Sequence, residues 1–406
     1  MLSRMVRCLV LLSLLAAPAF AQDSLHVRML GSIVHGFTAS GVAVSGSYAY
    51  EAGGGSGGRR VIRISSPSSP TEVGFCDTPG NAAGVAVSGS YAYVADGYGG
   101  LRVIDLSNPS SPTEAGFCFT LDYAEGVAVS DSYAYVAAGE GYLRVINVSN
   151  PSFPTEVGFC PSVYAAGVAV SGNYAYVADG WCLKVVNVSN PSSPTVAGSC
   201  FTPGYAQSVA VAGSYAYVAC GAGGLRVINI SNPSSPAEVG HYDTPYGALG
   251  VAVAGSYAYV AAGTSGLRVI NISNPTFPMQ AGYYVTPGNA RGVAVSGCVA
   301  YLIGANYFFT LDISFFAPCP VPRAPESLTI AYLPQSRALR LRWAPVQLDT
   351  GGLPIHINRY VVYRSDSVNA ALWYSIGVPV PPDTTVFVDT SGVVTRQFYQ
   401  VRARSD

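Results

Sequence analysis

The sequence predicts an all-β protein, a seven-bladed β-propeller, and three observations lead to this prediction. The string Ser-Tyr-Ala-Tyr recurs along most of the chain at intervals of 41 to 43 residues. Each interval holds four short runs rich in β-branched and aromatic residues, separated by Gly-rich or Pro-rich turn signals. No segment shows sustained helical periodicity. Four antiparallel strands repeated at this interval are typical of one propeller blade.

Residues 84–118 show the pattern of one repeat. They contain the runs GVAV, YAYVA, LRVIDL and PTEAGFC, which we expect to form strands a, b, c and d of one blade. The repeats are numbered 1 to 7 along the chain by the first tyrosine of the string, and in repeat 7 Val299 takes its place. The six tyrosines are Tyr48, Tyr91, Tyr133, Tyr174, Tyr215 and Tyr257, and before Tyr174 the serine is replaced by Asn173.

The ends of the repeat array predict how the ring closes. Repeat 7 has strands a, b and c, but no strand d follows, because the chain continues directly into the segment FFAP at 315–318. A spare strand, at residues 27–33, precedes strand a of repeat 1. We expect this N-terminal strand to complete the last blade, since that removes a free sheet edge. A solenoid, the alternative repeat architecture, has shorter repeats and needs end caps.

The run LRVIDLSNPSSP and its variants LRVINVSNPSFP and LRVINISNPSSP resemble the LVIVD repeat of bacterial exported propellers. The resemblance covers roughly residues 25–315. It implies the propeller fold, which we assign to residues 22–316. It implies no particular activity, because propellers host many unrelated functions.

The N-terminal 21 residues have the pattern of a bacterial-type secretory signal peptide. Arg4 and Arg7 precede an apolar run at 9–17, and Ala19-Phe20-Ala21 matches a cleavage site, so Gln22 is the expected mature N-terminus. The apolar run is too short for a spanning helix, which needs about 20 apolar residues. We therefore expect export to the periplasm, the cell surface or the medium, and no transmembrane segment in the mature chain.

A second domain is expected after a Pro-rich linker at 317–325. Residues 326–406 resemble a fibronectin type III β-sandwich, with Trp343 as the core tryptophan and Tyr399 in strand F. The sequence ends at Asp406 without residues for a final strand, so we expect this sandwich to be incomplete or completed by another chain. The runs that resemble its strands B, C and F lie at 339–346, 357–365 and 396–406.

Composition and charge argue against several classes of function. Only 11% of the residues are charged, the net charge is −1, and no basic run stands out. Nucleic acid is therefore not an expected partner, because duplex binding relies on clustered positive charge. The 4 histidines lie far apart, and no nucleophile elbow, P-loop or EF-hand spacing appears. We expect no cofactor, no metal and no enzymatic activity.

A charge pattern within the repeats predicts a structural contact. A basic residue at the start of strand c is followed twelve positions later by an acid in four repeats, as in Arg102 and Glu114. Strands c and d form a hairpin, so these two side chains are expected to pair across it. Because the pattern recurs in several repeats, we interpret it as part of the fold and not as a site.

Candidate ligand-binding residues lie where the repeats differ. The residue before strand a is expected to line the pore mouth, and the b–c turns are expected on the same face. The pore-mouth residues are Ser40, Ala83, Glu125, Ala166, Gln207, Leu249 and Arg291. The candidates are Glu51, Asp96, Tyr98, Glu125, Tyr142, Asp179, Trp181, Gln207 and Arg291.

These residues suggest a binding surface, because aromatic faces stack on sugar rings and acids accept hydrogen bonds from hydroxyls. The predicted function is an exported or cell-surface binding scaffold that uses this face, with an unidentified protein or glycan as partner. A propeller-type glycosidase or lyase is the alternative from the enzyme class, with only Glu125 and Arg291 available at the pore mouth. A structural envelope protein is the third possibility.

Overall fold

We analysed a computed structural model of the 406-residue chain. The predicted signal peptide lies outside the residues that the structure describes. In the C-terminal region the structure describes only the backbone of six strands. The remaining described residues are 24–54, 58–139, 142–161 and 164–317.

All regular elements of the described residues are β-strands. The N-terminal segment and repeat 1 contain β1 (Ser24–Leu25), β2 (Arg28–Ser45), β3 (Tyr48–Gly53), β4 (Gly58–Arg63) and β5 (Thr71–Cys76). Repeats 2 and 3 contain β6 (Gly84–Ser88), β7 (Tyr91–Ala95), β8 (Leu101–Asp105), β9 (Thr113–Cys118), β10 (Ala124–Ser130), β11 (Tyr133–Ala138), β12 (Tyr142–Asn147) and β13 (Thr155–Pro161). Repeats 4 and 5 contain β14 (Ala165–Ser171), β15 (Tyr174–Asp179), β16 (Cys182–Asn187), β17 (Thr195–Phe201), β18 (Ser208–Ala212), β19 (Tyr215–Ala219), β20 (Leu225–Asn229) and β21 (Ala237–Tyr242). Repeats 6 and 7 contain β22 (Gly250–Ala254), β23 (Tyr257–Ala261), β24 (Leu267–Asn271), β25 (Met279–Tyr284), β26 (Ala290–Ser296) and β27 (Val299–Asp312).

Repeats 2 to 6 fold as the sequence predicts. Each forms an antiparallel sheet whose strands pair in sequence order, from a next to the channel to d at the outside. Repeat 6 carries a fifth strand, because β1 pairs with β25 through Ser24 and Tyr284. The Gly-Ser turns between strands a and b place glycine at positive φ, for example 57° at Gly89, a conformation that other residues rarely adopt.

The N-terminal strand closes the ring, as predicted from the strand count. β2 is 18 residues long, and its first part pairs with β27, with Arg28 opposite Asp312 and Val34 opposite Tyr307. Its second part pairs with β3 as strand a of repeat 1. An ion pair between Arg28 Nη2 and Asp312 Oδ2, 3.0 Å apart, joins the two ends of the array.

The prediction of a seven-bladed propeller is wrong in its blade count, because the described sheets of the ring number six. The described propeller residues form six sheets, because β26, β27, β2, β3, β4 and β5 make a single six-stranded sheet. In repeat 2 the turn Pro79-Gly80 separates strand a from the strand d before it. The equivalent residues of β2 are His35-Gly36-Phe37, which continue the strand. Repeats 7 and 1 therefore share one sheet.

The core consists of hydrophobic layers between neighbouring repeats. Seven buried clusters among the described residues fill these spaces, one for each pair of neighbours. The cluster between repeats 4 and 5 contains Leu183 and Val218. The cluster between repeats 7 and 1 contains Phe308 and Ile62. Burying side chains of this size contributes roughly 1.5–3 kcal/mol each, so packing and strand pairing both close the ring.

A glycine in each outer strand allows the next repeat to approach closely. A Cβ on Gly116 in β9 would lie 2.5 Å from Pro151 O, in the Asn-Pro turn of repeat 3. The same glycine recurs in the outer strands of repeats 1 to 6. Gly31 in β2 has this role for repeat 7, with its Cβ position 2.7 Å from Pro70 Cδ. The N-terminal strand therefore reproduces the packing of an ordinary strand d.

The predicted charge pairs across the c–d hairpins are confirmed. Arg102 Nη1 lies 3.3 Å from Glu114 Oε1, and the guanidinium also stacks on the ring of Phe117. Repeats 1, 3 and 5 contain the equivalent Arg–Glu pair. The pairs lie on the outer part of the sheets, away from the channel, in agreement with a structural role.

The described C-terminal strands form two three-stranded sheets, in the orders β28-β29-β32 and β31-β30-β33. Residues 318–325 of the predicted linker and Trp343 lie outside the described residues, as does the side chain of Tyr399. The six strands are β28 (Thr329–Leu333), β29 (Ala338–Arg342), β30 (Arg359–Ser365), β31 (Tyr374–Ser375), β32 (Val386–Asp389) and β33 (Phe398–Arg404).

Candidate functional site

A channel of about 590 Å³ runs along the centre of the ring, where the first strand of every repeat contributes to its wall. The glycine that begins most of these strands brings neighbouring repeats together there. A Cβ on Gly84 would lie 2.7 Å from Glu125 O, and one on Gly292 would lie 2.8 Å from Ser40 O. The second contact joins repeat 7 to repeat 1, so the channel wall is continuous.

The residue before this glycine, which is replaced by Ser208 in repeat 5, lines the channel in every repeat, as the sequence predicts. The seven residues are Ser40, Ala83, Glu125, Ala166, Gln207, Leu249 and Arg291. They combine one acid, one base, two neutral polar side chains and three small or apolar side chains. The lining is therefore chemically uneven although the backbone around it is regular.

Three tyrosines at the channel were not recognised in the sequence. Tyr123, Tyr164 and Tyr205 line it and lie two positions before the channel residues of repeats 3, 4 and 5. All three are half-buried, and the rings of Tyr164 and Tyr205 meet edge to face at 5.4 Å. The repetition was visible in the sequence, but only the position directly before the glycine was considered.

Glu125 forms the polar centre of this part of the channel. The Tyr164 hydroxyl donates a hydrogen bond to Glu125 Oε1 at 2.6 Å. Burial raises the pKa of Glu125, and the hydrogen bond from Tyr164 opposes that rise. The same hydrogen bond raises the pKa of Tyr164. In this hydrogen bond the tyrosine hydroxyl is the donor and the carboxylate oxygen is the acceptor.

Asp179 holds the backbone of Tyr164 in place. Its side chain is buried, and Oδ1 accepts a hydrogen bond from the backbone N–H of Tyr164 at 2.6 Å. Lys184 Nζ lies 2.5 Å from Asp179 Oδ2, which compensates the buried charge. Asp179 was predicted as a ligand-binding residue. The structure places it out of contact with solvent, where it holds the segment that carries Tyr164.

Tyr98 and Trp181 extend the aromatic surface outward from the channel. They are exposed by 79% and 57%, and they occupy b–c turns of repeats 2 and 4. The ring of Tyr98 meets Tyr123 edge to face at 5.1 Å, and Trp181 meets Tyr205 in the same way at 6.3 Å. Each exposed ring is thus supported by a channel tyrosine of the following repeat.

Glu51 is fully buried and contacts His35. His35 Nε2 lies 3.4 Å from Glu51 Oε1, while His35 Nδ1 lies 3.1 Å from the carbonyl oxygen of Phe37. Burial raises the pKa of Glu51. The predicted ligand residue is thus an internal group of the closing sheet.

Asp96 is also buried and holds a loop. Asp96 Oδ1 accepts a hydrogen bond from the Thr78 hydroxyl at 2.6 Å, and Oδ2 accepts one from the backbone N–H of Gly80 at 2.9 Å. Arg59 Nη1 donates to the same Thr78 hydroxyl oxygen at 3.1 Å. This network fastens the segment before strand a of repeat 2, as Asp179 does in repeat 4.

The remaining candidates lie apart from one another. Tyr142 begins β12, where its ring contacts Phe159 and the Arg144 guanidinium, so it belongs to the outer sheet contacts. Gln207 and Arg291 line the channel. Arg291 is exposed and forms no ion pair with any residue that the structure describes. Of the nine candidates, the structure brings Glu125, Gln207 and Arg291 to one channel.

Seven segments of the chain match the model of the LVIVD repeat, and together they cover well over half of its 406 residues. The chain belongs to the LVIVD repeat family. The matched segments are 37–78, 79–120, 122–161, 163–202, 203–244, 247–286 and 287–315. They coincide with the repeats defined above, so the predicted family resemblance is confirmed. No curated protein matches the chain.

Solved structures share the β-propeller fold of this LVIVD repeat chain. One is the β-propeller domain of Myceliophteria thermophila Cps50 (Swd1), with a TM-score of 0.58 and 11% identity, covering 70% of this chain and 99% of that one. Another is the computationally designed protein Ika8, with a TM-score of 0.52 and 10% identity over the same shares. At these identities the likeness concerns the fold alone.

Two further features of the described residues of the LVIVD propeller concern metal binding and membrane insertion. No group of three or more His, Cys, Asp or Glu side chains there is arranged to hold a metal ion. No helix in the described part of the chain is long and apolar enough to cross a membrane.

Proposed function

We propose that this LVIVD propeller is a binding scaffold and that its ligand contacts the channel mouth of repeats 2 to 5. This region is named the aromatic rim and consists of Tyr98, Tyr123, Glu125, Tyr164, Trp181 and Tyr205. Ligand sites combine apolar or aromatic walls with a few polar groups that fix orientation. The aromatic rim has this composition.

The observation that carries the proposal is the difference between the two faces of the ring. The Asn-Pro turns on the opposite face are nearly alike, and several of their asparagines accept hydrogen bonds within the turn, as Asn150 Oδ1 does from the backbone N–H of Ser152 at 3.2 Å. Their polar side chains serve the turn itself. On the rim, the exposed ring of Trp181 meets the ring of Tyr205 among the described residues and leaves much of its surface to solvent.

Export is part of the proposal. The signal-peptide pattern of residues 1–21 supports secretion or display at the cell surface, with cleavage after Ala21. Cys298 takes part in a disulfide, a bond that persists mainly in oxidising compartments. N-terminal sequencing of the protein recovered from cell fractions tests this: we expect Gln22 as the first residue outside the cytoplasm, and an intact Met1 in the cytoplasm would contradict it.

The C-terminal strands are assigned a spacer role in this proposal. Two three-stranded sheets agree with the resemblance of residues 326–406 to a fibronectin type III sandwich. Such a module would hold the propeller away from its point of attachment. Removing it is expected to leave ligand binding by the propeller unchanged.

Binding to cell-surface material from the producing cells tests the function. The fluorescently labelled mature protein is titrated with the isolated envelope fraction, and wild type is compared with Trp181→Ala. Truncating a tryptophan at the centre of a binding surface typically reduces the binding free energy by about 2 kcal/mol or more. We therefore expect Trp181→Ala to bind at least tenfold more weakly.

Ser110→Ala and Ser111→Ala are the matched controls, because both serines lie in an Asn-Pro turn of the opposite face. Both variants should bind as wild type does. If the serine variants lose binding while Trp181→Ala retains it, the working surface is the face with the repeated turns and the proposal fails.

A further inference from the structure

We propose that the ligand of the aromatic rim is a neutral oligosaccharide whose sugar rings stack on Tyr98 and Trp181 and whose hydroxyls bond Glu125. This inference rests on the proposed function, since it names the ligand class of the same surface. It concerns six residues in four successive repeats.

Two aromatic pairs flank a central polar group. Tyr98 with Tyr123 forms one pair across repeats 2 and 3, and Trp181 with Tyr205 forms the other across repeats 4 and 5. In each pair the edge-to-face contact holds the exposed ring, while 79% of Tyr98 and 57% of Trp181 stay accessible to solvent. The negatively charged face of an aromatic ring attracts the weakly positive C–H groups on the flat side of a sugar. The rim therefore provides two separate stacking positions.

The polar atoms between the two pairs fit hydroxyl groups. Glu125 Oε1 already accepts the Tyr164 hydroxyl at 2.6 Å, and the second carboxylate oxygen remains able to accept. The backbone hydrogen bond to Asp179 holds Tyr164 in place, so this acceptor is preorganised. An acceptor beside an aromatic surface suits a ligand that offers O–H donors and flat apolar faces together.

The charges near the rim disfavour an anionic ligand. Glu125 is the acid at the centre of the rim, and Lys184 is paired with Asp179. Arg291 lines the same channel, but it lies in repeat 7 and is not one of the six rim residues. A uronic acid, phosphate or nucleic acid seated between the two stacking positions would meet the carboxylate of Glu125, and none of the six rim residues is a base. A neutral sugar chain meets no such penalty.

Binding of defined oligosaccharides tests the inference. The mature protein is titrated by calorimetry with hexasaccharides of the gluco, xylo, manno and N-acetylglucosamine series, and with an oligogalacturonate of the same length. We expect at least one neutral series to bind and the oligogalacturonate not to bind. Tyr98→Ala and Trp181→Ala should each weaken the binding of the neutral oligosaccharide at least tenfold.

Two substitutions at Glu125 separate the role of its oxygen from the role of its charge. Glu125→Gln keeps an acceptor and should stay within about threefold of wild type, whereas Glu125→Ala should lose binding at least tenfold. Phe153→Ala is the control, because Phe153 is an exposed ring (75%) in an Asn-Pro turn of the opposite face. It should bind as wild type does.

The outcomes distinguish this inference from the proposed function. If none of the neutral hexasaccharides binds, or if only the oligogalacturonate does, the carbohydrate inference is overturned. The proposed function still stands in that case if Trp181→Ala weakens binding to the envelope fraction. If Trp181→Ala has no effect on either material, both fail.

Discussion

The contacts between neighbouring repeats are alike around the ring, whereas the side chains at the channel mouth change from one repeat to the next. Gly116 allows repeat 3 to pack on repeat 2, and Gly31 does the same for repeats 1 and 7. At the mouth, the equivalent positions carry residues as different as Glu125, Leu249 and Arg291. The repeated positions thus serve stability, and the variable positions are free to serve binding.

The largest expected effect comes from opening the ring. Deleting residues 22–34 removes the strand that pairs with β27 and exposes apolar side chains such as Phe308 and Leu311, which are fully buried. The loss of several contacts at roughly 1.5–3 kcal/mol each should lower the melting temperature by at least about 10 °C. Deleting residues 320–406 should leave the melting of the propeller unchanged. A harmless N-terminal deletion in thermal denaturation would refute this closure.

A smaller effect is expected at the glycines between repeats. Gly116→Ala places a Cβ 2.5 Å from Pro151 O, and the overpacking should cost about 1–3 kcal/mol of unfolding free energy in a denaturant titration. Gly36→Ala is the matched control, because nothing lies within 4 Å of its Cβ position. Equal stability of the two variants would mean that the close approach of the repeats has no energetic consequence.

The buried carboxyl in the shared sheet predicts a pH dependence. Burial raises the pKa of Glu51, so the folded state binds this proton more tightly than the unfolded chain does. Its contribution to stability is present at low pH and is lost as the pH rises above about 4.3 through the raised pKa. One such proton changes the free energy of unfolding by up to about 1.4 kcal/mol per pH unit. Glu51→Gln, which does not ionise, should flatten this slope.

The measurement is the unfolding free energy of wild type and Glu51→Gln at several pH values. The amide of the glutamine can donate to His35 Nε2, so the substitution retains a partner for the histidine. Parallel pH profiles for the two proteins would show that Glu51 binds its proton equally in the folded and unfolded states.

The smallest expected effect concerns the ion pairs that recur in several repeats. Arg102 and Glu114 should be coupled by about 0.2–1 kcal/mol in a double-mutant cycle with alanine at both positions. The value is small because Glu114 is partly exposed and solvent screens the pair. Strict additivity of the two single substitutions would contradict the contact.

The sequence predicts the repeats well because each strand is a short apolar run between turns of known chemistry. The strand count also predicts the pairing of β2 with β27. The union of repeats 7 and 1 in one sheet was missed, because it depends on His35, Gly36 and Phe37 staying extended. The number of strands does not show whether the segment that connects two of them turns or stays extended.

The candidate site was predicted only in part. Glu125, Gln207 and Arg291 reach the channel because one backbone position fixes where they lie. Asp96 and Asp179 also differ from their counterparts in other repeats, but they turn inward to hold loops. The difference between repeats identifies unusual residues, and it does not tell a buried hydrogen-bonding role from an exposed one. The burial of each side chain in the structure distinguishes the two roles.

The most direct test of the contrast between repeated and variable positions is a single variant of the channel mouth. Ser40, Glu125, Gln207 and Arg291 are all replaced by alanine, which already occupies two equivalent positions, at Ala83 and Ala166. Thermal melting and binding to the envelope fraction are then measured on the same sample. Our account predicts a melting temperature within a few degrees of wild type and a loss of binding of at least tenfold. A variant that binds normally, or one whose ring no longer folds, would contradict it.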